Sequence, residues 1–158
     1  MTSRTAWTAG NGAGLTWTAL FGSEVSTLAN TDSVLSSIDI ANGAALDQFM
    51  DVSLEATIAS STIAAGANFA LWLMALMEDG TTYGDNSVTT TPAAVTPGLF
   101  PVATIPLLAK ASTTALYGFA QGIILPPGSF AMALQNNCGF TLTACTVKYR
   151  TYNQNLNN

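Results

Sequence analysis

Between Met50 and Ile58 the chain alternates strictly. Met50, Val52, Leu54, Ala56 and Ile58 are apolar, and Asp51, Ser53, Glu55 and Thr57 between them are acidic or polar. Successive side chains of a strand point to opposite faces, so this run reads as a strand with one face in a core and one toward water. The same period recurs in Leu15, Trp17, Ala19 and Phe21, in Val34, Ser36, Ile38 and Ile40, and in Phe130, Met132 and Leu134. A strand is predicted from Thr113 to Leu125, with Tyr117, Phe119, Gln121, Ile123 and Leu125 on one face. Its other face holds Gly118, Ala120 and Gly122, where another segment can approach closely.

Two segments break the simple pattern. Ile63 to Met77 is apolar on both faces, and its Ala, Leu and Met content suits a helix. Its ending, Glu78-Asp-Gly-Thr-Thr-Tyr-Gly-Asp-Asn86, reads as a strand-end loop, so a long central strand is the preferred reading. From Phe140 to Tyr152 the apolar phase moves from even to odd positions, which predicts a β-bulge near Ala144 to Thr146. Val102 to Leu108 reads as a strand edged at Pro106. Pro126-Pro-Gly128 and Asn136-Asn-Cys-Gly139 read as turns, the second a hairpin, and residues 79–101 as a long connection that is functional or hides a short strand. About eight strands result, and the expected fold is all-β: a single jelly-roll-like β-sandwich over residues 23–152, with an extended N-terminal arm at 1–22 and a frayed polar tail at 153–158.

Charge then narrows the function. Only 8% of the residues are charged, against about 25% in ordinary soluble domains. At 49% hydrophobic the chain is not disordered, so its surface is small and neutral or is covered by neighbours. Residues 1–85 hold all nine acids and only Arg4; residues 86–158 hold Lys110, Lys148 and Arg150 and no acid. Three scattered cations do not make the basic surface that nucleic acid requires. Ile63 to Met77 is shorter than the roughly 20 apolar residues of a membrane helix. The first ten residues lack the apolar core of an export signal. No nucleic-acid or membrane partner is expected.

Reactive groups are few. There is no histidine, hence none of the commonest general base or zinc ligand. If Asn136 to Gly139 is a hairpin, Cys138 sits at its tip and Cys145 opposite Ala131, too far apart to bridge; two free thiols fit a reducing interior. Asp47, Asp51 and Glu55 form the best carboxylate cluster; on a strand Asp51, Ser53 and Glu55 share one face with successive side chains about 7 Å apart, a spacing near what paired glycosidase carboxylates need. They read as a solvated outer face, since no apolar pocket marks a catalytic acid. Glu78, Asp79 and Asp85 flank a Gly-rich loop without EF-hand spacing. Ser129 is a turn residue without a histidine partner, and Gly10 to Gly14 is a flexible joint lacking the P-loop lysine. No catalytic residue, cofactor or metal is expected, and the chain reads as a non-enzyme. The aromatics around the joint, Trp7, Trp17 and Phe21, together with Tyr83, are the candidate interface residues. The arm that carries the first three docks on its own sandwich or on a neighbouring subunit. Trp72, within the most apolar run, is expected in the core.

The stretch from Gly122 to Leu142, with its Leu125-Pro-Pro-Gly-Ser-Phe130 and Gln135-Asn-Asn-Cys-Gly139 turns, resembles the last hairpins of small jelly-roll proteins of tailed-bacteriophage particles. The loop from Glu78 to Asn86, the Thr/Ala-rich strands and the polar tail are similar in style. The resemblance covers about half the chain and rests on turn chemistry. It implies a head decoration, or cement, protein: a homo-oligomer, trimer before dimer, bound to the major capsid protein on the outside of a virion and made in the host cytoplasm. The alternative is a carbohydrate- or receptor-binding β-sandwich of a phage tail or fibre.

Overall fold

The structure is a computed structural model that describes residues 4–9, 15–98 and 100–157. Its strands are β1 (Arg4–Ala9), β2 (Thr18–Ala19), β3 (Ser33–Leu35), β4 (Ile40–Ala41), β5 (Phe49–Ile63), β6 (Asn68–Ala75), β7 (Ala103–Pro106), β8 (Lys110–Ile124), β9 (Ser129–Asn137) and β10 (Leu142–Asn157), with one 3-10 turn at Ser23–Val25. The pairings are antiparallel and nested, first with last: β1 and β2 with β10, β3 and β4 with β9, β5 with β8, β6 with β7. Two more pairings, β5 with β10 and β6 with β9, roll this long hairpin into two sheets. One runs β1-β10-β5-β8 with β2 beside β10; the other runs β3-β9-β6-β7 with β4 beside β9. This is the jelly-roll order of a β-sandwich, with its first two strands each broken in two.

The core lies between the sheets. Met50, Val52, Leu54, Ala56 and Ile58 of β5 all enter it, as their alternation predicts, and meet Phe69, Leu71, Phe130, Met132 and Leu134 from the other sheet. Each of these side chains larger than alanine, fully buried, contributes about 1.5–3 kcal/mol. Ile63 to Met77 is strand rather than helix, but in two pieces. β5 ends at Ile63, a turn at residues 64–67 follows, and β6 starts at Asn68 in the opposite sheet.

The reason β6 is apolar on both faces is a third layer. Residues 77–98 fold over the outside of the β3-β9-β6-β7 sheet, where Ala70, Trp72, Met74, Ala133 and Val88 form a second buried cluster. The cover is tied down by backbone: Ser33 and Ala93 exchange hydrogen bonds, Leu35 donates to Thr89, and Gly84 donates to Ala75. Trp72 is therefore buried under this cover, on the face away from the main core.

Several boundaries differ from the sequence reading. Asn136 to Gly139 is not a hairpin: β9 and β10 lie in different sheets, and the turn is an arch between them. The Asn136 carboxamide is buried inside it, donating to Leu28 O (3.0 Å) and Phe140 O (2.7 Å) and accepting from Cys138 N (3.0 Å). Cys138 is consequently buried rather than at an exposed tip, and both cysteines are free. The polar tail is not frayed from the fold, because β10 runs to Asn157 and its last residues pair with β1. Residues 15–22 are not separate from the sandwich either: Phe21 is 5% exposed in the main core, beside Leu20. The bulge in β10 falls earlier than predicted, between Leu142 and Ala144, which leaves Ala144 outside and Val147 inside.

Candidate functional site

The outer face of the β1-β10-β5-β8 sheet gathers most of the chain's chemistry. β5 and β8 pair regularly from Thr57↔Ala115 to Val52↔Ala120, then slip: Met50 pairs with Ile123, so two β8 residues oppose Asp51 alone. Gly122, at φ +66°, makes this bulge, a conformation that costs glycine little. The slip corrects the expected face of β8. Tyr117 and Phe119 stay outside, but Ile123 and Leu125 turn into the core. On the inner side, Gly118 is where another segment approaches. A Cβ there would sit 2.3 Å from Cγ2 of Ile105 on β7.

Asp51 fills the bulge. Its Oδ1 accepts from Gly122 N (3.1 Å) and from the Tyr152 hydroxyl (3.0 Å), and its Oδ2 accepts from Arg150 Nη2 (2.9 Å) and Nε (3.1 Å). With Asp51 only 3% exposed, this is a buried carboxylate with its lone pairs engaged. Arg150 lies with its guanidinium carbon 4.8 Å from the ring centroid of Trp17, and Trp17 meets Phe119 edge-on at 5.9 Å. Trp17 thus reaches from the β2 side of the sheet across to β8. Beside this row is a groove of about 360 Å³ lined by Leu15, Asp51, Gln121, Arg150 and Tyr152.

A second feature lies at the sheet margin formed by β7 and β8. Phe100 is 95% exposed, Leu108 84% and Tyr117 68%, with Val102, Phe119 and Ile124 also exposed. Leu108 and Tyr117 line one concavity together with Lys110. Phe100 and Val102 precede β7 and Leu108 follows it, while Tyr117, Phe119 and Ile124 lie on β8, so large exposed apolar residues gather around the two strands that end the sheets.

The sequence-derived candidates separate accordingly. Trp17 joins the outer face by docking on its own chain. Trp7 lies in β1 opposite Gln154, with its side chain outside the described ones, as is the joint at residues 10–14. Phe21, expected at an interface, offers no surface because it is a core residue. Tyr83 belongs to the cover: it packs against the second cluster, and burial, then its hydrogen bond to Asp39, push its hydroxyl pKa up. Among the carboxylates, Asp47 accepts from Asn153 Nδ2 (3.1 Å) and Asp51 plugs the bulge, so only Glu55 matches the expected solvated face. The Gly-rich loop acids act on their own backbone. Asp79 accepts from Thr81 N and Thr82 N, and Asp85 accepts from Ser87 N and, across the cover, from Gly98 N (2.6 Å). Among the described residues no group of three or more His, Cys, Asp or Glu side chains could hold a metal ion, and no helix is long and apolar enough to cross a membrane. Burial, with a smaller push from Cys138, raises the Cys145 thiol to about 12 and leaves it a poor nucleophile. Comparison with protein-family models, curated proteins and solved structures gave no match.

Arg150, Tyr152 and Asn136 escaped the sequence reading. Gly122 within an apolar strand is the signal that could have revealed the bulge. A bulge leaves an unpaired N–H, and a carboxylate on the neighbouring strand is the natural acceptor.

Proposed function

We propose that this chain is a structural virion protein: a jelly-roll decoration, or cement, protein that binds the outside of a phage capsid as a homo-oligomer and stabilises the shell. The observation that carries the reading is the exposed apolar margin along β7 and β8, on a chain with only 8% charged residues. Cementing requires contact area and no bond-making step. Apolar area removed from water contributes about 25 cal/mol per Å² before the costs of association, and many symmetric copies add avidity. Jelly rolls serve both as viral coat domains and as lectins, so the fold alone does not choose between them.

The test is whether the protein bands with virus particles in a density gradient, and at what copy number. Hundreds of copies per particle support the decoration role. A few copies move the assignment to a tail, fibre or vertex, and absence from particles overturns it. One observation favours a glycan-binding module as the second reading: the groove beside Trp17 combines an aromatic with Gln121 and Arg150, the mix that sugar sites use. A glycan array without hits at millimolar ligand removes that reading.

A further inference from the structure

We propose that residues 115–120 of β8 form a self-pairing edge, through which two copies of this chain join across a two-fold axis into one continuous sheet. This specifies the homo-oligomer of the preceding reading and shares Tyr117 and Leu108 with it, but it rests on the unpaired edge of β8.

β8 ends its sheet, so among the described residues no strand pairs with its side away from β5. An edge strand exposes a row of unpaired N–H and C=O groups, and proteins blunt such rows with lysine, proline, bulges or a covering segment. β8 carries those devices only at its ends. Lys110 and a register break between Thr113 and Ala115 lie at one end, and the Gly122 bulge at the other. At the first end Thr113 Oγ1 also donates to Ala115 O (3.0 Å). Between them runs an unbroken six-residue ladder, Ala115-Leu-Tyr-Gly-Phe-Ala120, without charge or proline. Six uncharged residues rich in aromatics are the length and composition that pair strand to strand most readily.

A second copy of the same strand fits this edge, since it brings its own aromatic residues and meets no like charge. Antiparallel pairing about Tyr117 sets Tyr117 opposite its own counterpart, with Cβ atoms about 4.5–5.5 Å apart, an aromatic pair that favours strand association. The strand's only charge is Lys110, and the two copies of it are carried to opposite ends, about 46 Å apart at ~3.3 Å per residue. Glu55, which pairs with Tyr117 on β5, lies three strand spacings from its counterpart, about 14 Å. Both separations exceed the ~8 Å screening length at physiological salt. A self-pair therefore brings no like charges together, whereas the edge offers no charge by which to select a charged partner segment. The same approach covers the concavity that Leu108 and Tyr117 line.

The test is the solution mass of the wild-type chain and of Tyr117→Lys and Tyr117→Asp, by light scattering at micromolar concentration. The wild type should have twice the 16.3 kDa of one chain, each variant alone should be monomeric, and an equimolar mixture of the two should regain the dimer. Only an interface that sets residue 117 against itself produces that pattern. A monomeric wild type overturns the proposal, as does an oligomer that both variants leave intact. If the charged variants fail to fold, Tyr117→Cys replaces them: a disulfide-linked dimer under mild oxidation supports the edge, and a chain that stays unlinked overturns it. A wild type that is monomeric yet bands with particles sinks the edge and spares the decoration role. A dimer that does not band does the reverse.

Discussion

Arg150 closes on the buried carboxylate of Asp51 with two donors, Nη2 at 2.9 Å and Nε at 3.1 Å, both on Oδ2. Removing Asp51 leaves the Gly122 N–H of the bulge without its acceptor and Arg150 without its partner. Asp51→Ala is expected to cost about 3 kcal/mol, within the range for breaking a buried, hydrogen-bonded pair. Glu55→Ala, four residues further along the same strand face but exposed, should change stability by no more than about 0.5 kcal/mol. Urea denaturation of both variants checks this, and equal effects would show that Asp51 is as dispensable as a surface acid.

Gly118 faces the core so closely that an added Cβ would meet Ile105 Cγ2 at 2.3 Å. Gly118→Ala should therefore destabilise by about 1–3 kcal/mol, as overpacking does. Ile105→Ala removes the clashing methyl but opens a cavity. In the Gly118→Ala background the second substitution should cost clearly less than it does alone, because the new methyl takes up part of the space. A double-mutant cycle reads that coupling directly. Strict additivity would mean that the two positions do not touch.

The architecture was legible because its cause is local. Period-two alternation in Met50 to Ile58 sets which side chains of β5 enter the core, and the structure keeps all five. What was not legible depends on partners remote in sequence. Asn136-Asn-Cys-Gly139 has hairpin chemistry, yet whether such a turn joins neighbours in one sheet or arches to the other depends on where β5 and β6 already lie. The apolar faces of β6 were legible, but not that residues 77–98 cover the outer one. Phe21 and Trp17 share a phase in the sequence and part company in the fold, since the chain leaves β2 and turns through Ser23–Val25. Asp51 looked solvated because its acceptor role arises only once Gly122, Arg150 and Tyr152 converge on it.

Asn136 is the residue on which the last crossover depends. Its side chain serves Leu28 O, Phe140 O and Cys138 N together; Leu28 O also accepts from Leu142 N and Phe140 O from the Cys138 thiol, so Cys138 N depends on it most. Asn136→Ala leaves the buried Cys138 N–H without its acceptor and takes one donor each from Leu28 O and Phe140 O, and it is expected to cost about 2–3 kcal/mol. Asn136→Asp keeps the acceptor but turns a buried carboxylate toward the oxygens of Leu28 and Phe140, so it should be no better. Thermal unfolding of the two variants decides the point, and a melting temperature within a degree or two of the wild type would contradict it.

The cover over Trp72 should come loose in acid. Hydrogen bonds from the Thr82 hydroxyl and from the Thr81 and Thr82 backbone hold the Asp79 carboxyl down at about 2. Bonds from Ser87, then from Gly98, likewise lower Asp85. A carboxylate with a depressed folded-state pKa contributes its stabilisation fully above the ordinary value near 3.8 and loses it as pH falls through the depressed one. The cover should therefore hold at pH 4 and open progressively toward pH 2. Pepsin is active across that window and reports the change, with cleavage in residues 79–101 slow at pH 4 and fast near pH 2. Asp85→Asn weakens the tie between Ser87 and Gly98, so it should move the onset of cleavage to higher pH. A cleavage rate in that segment that stays flat from pH 4 to pH 2, relative to a denatured control, would show that the cover is held by its backbone hydrogen bonds and its apolar contacts with Trp72 and Met74, without help from the two carboxylates.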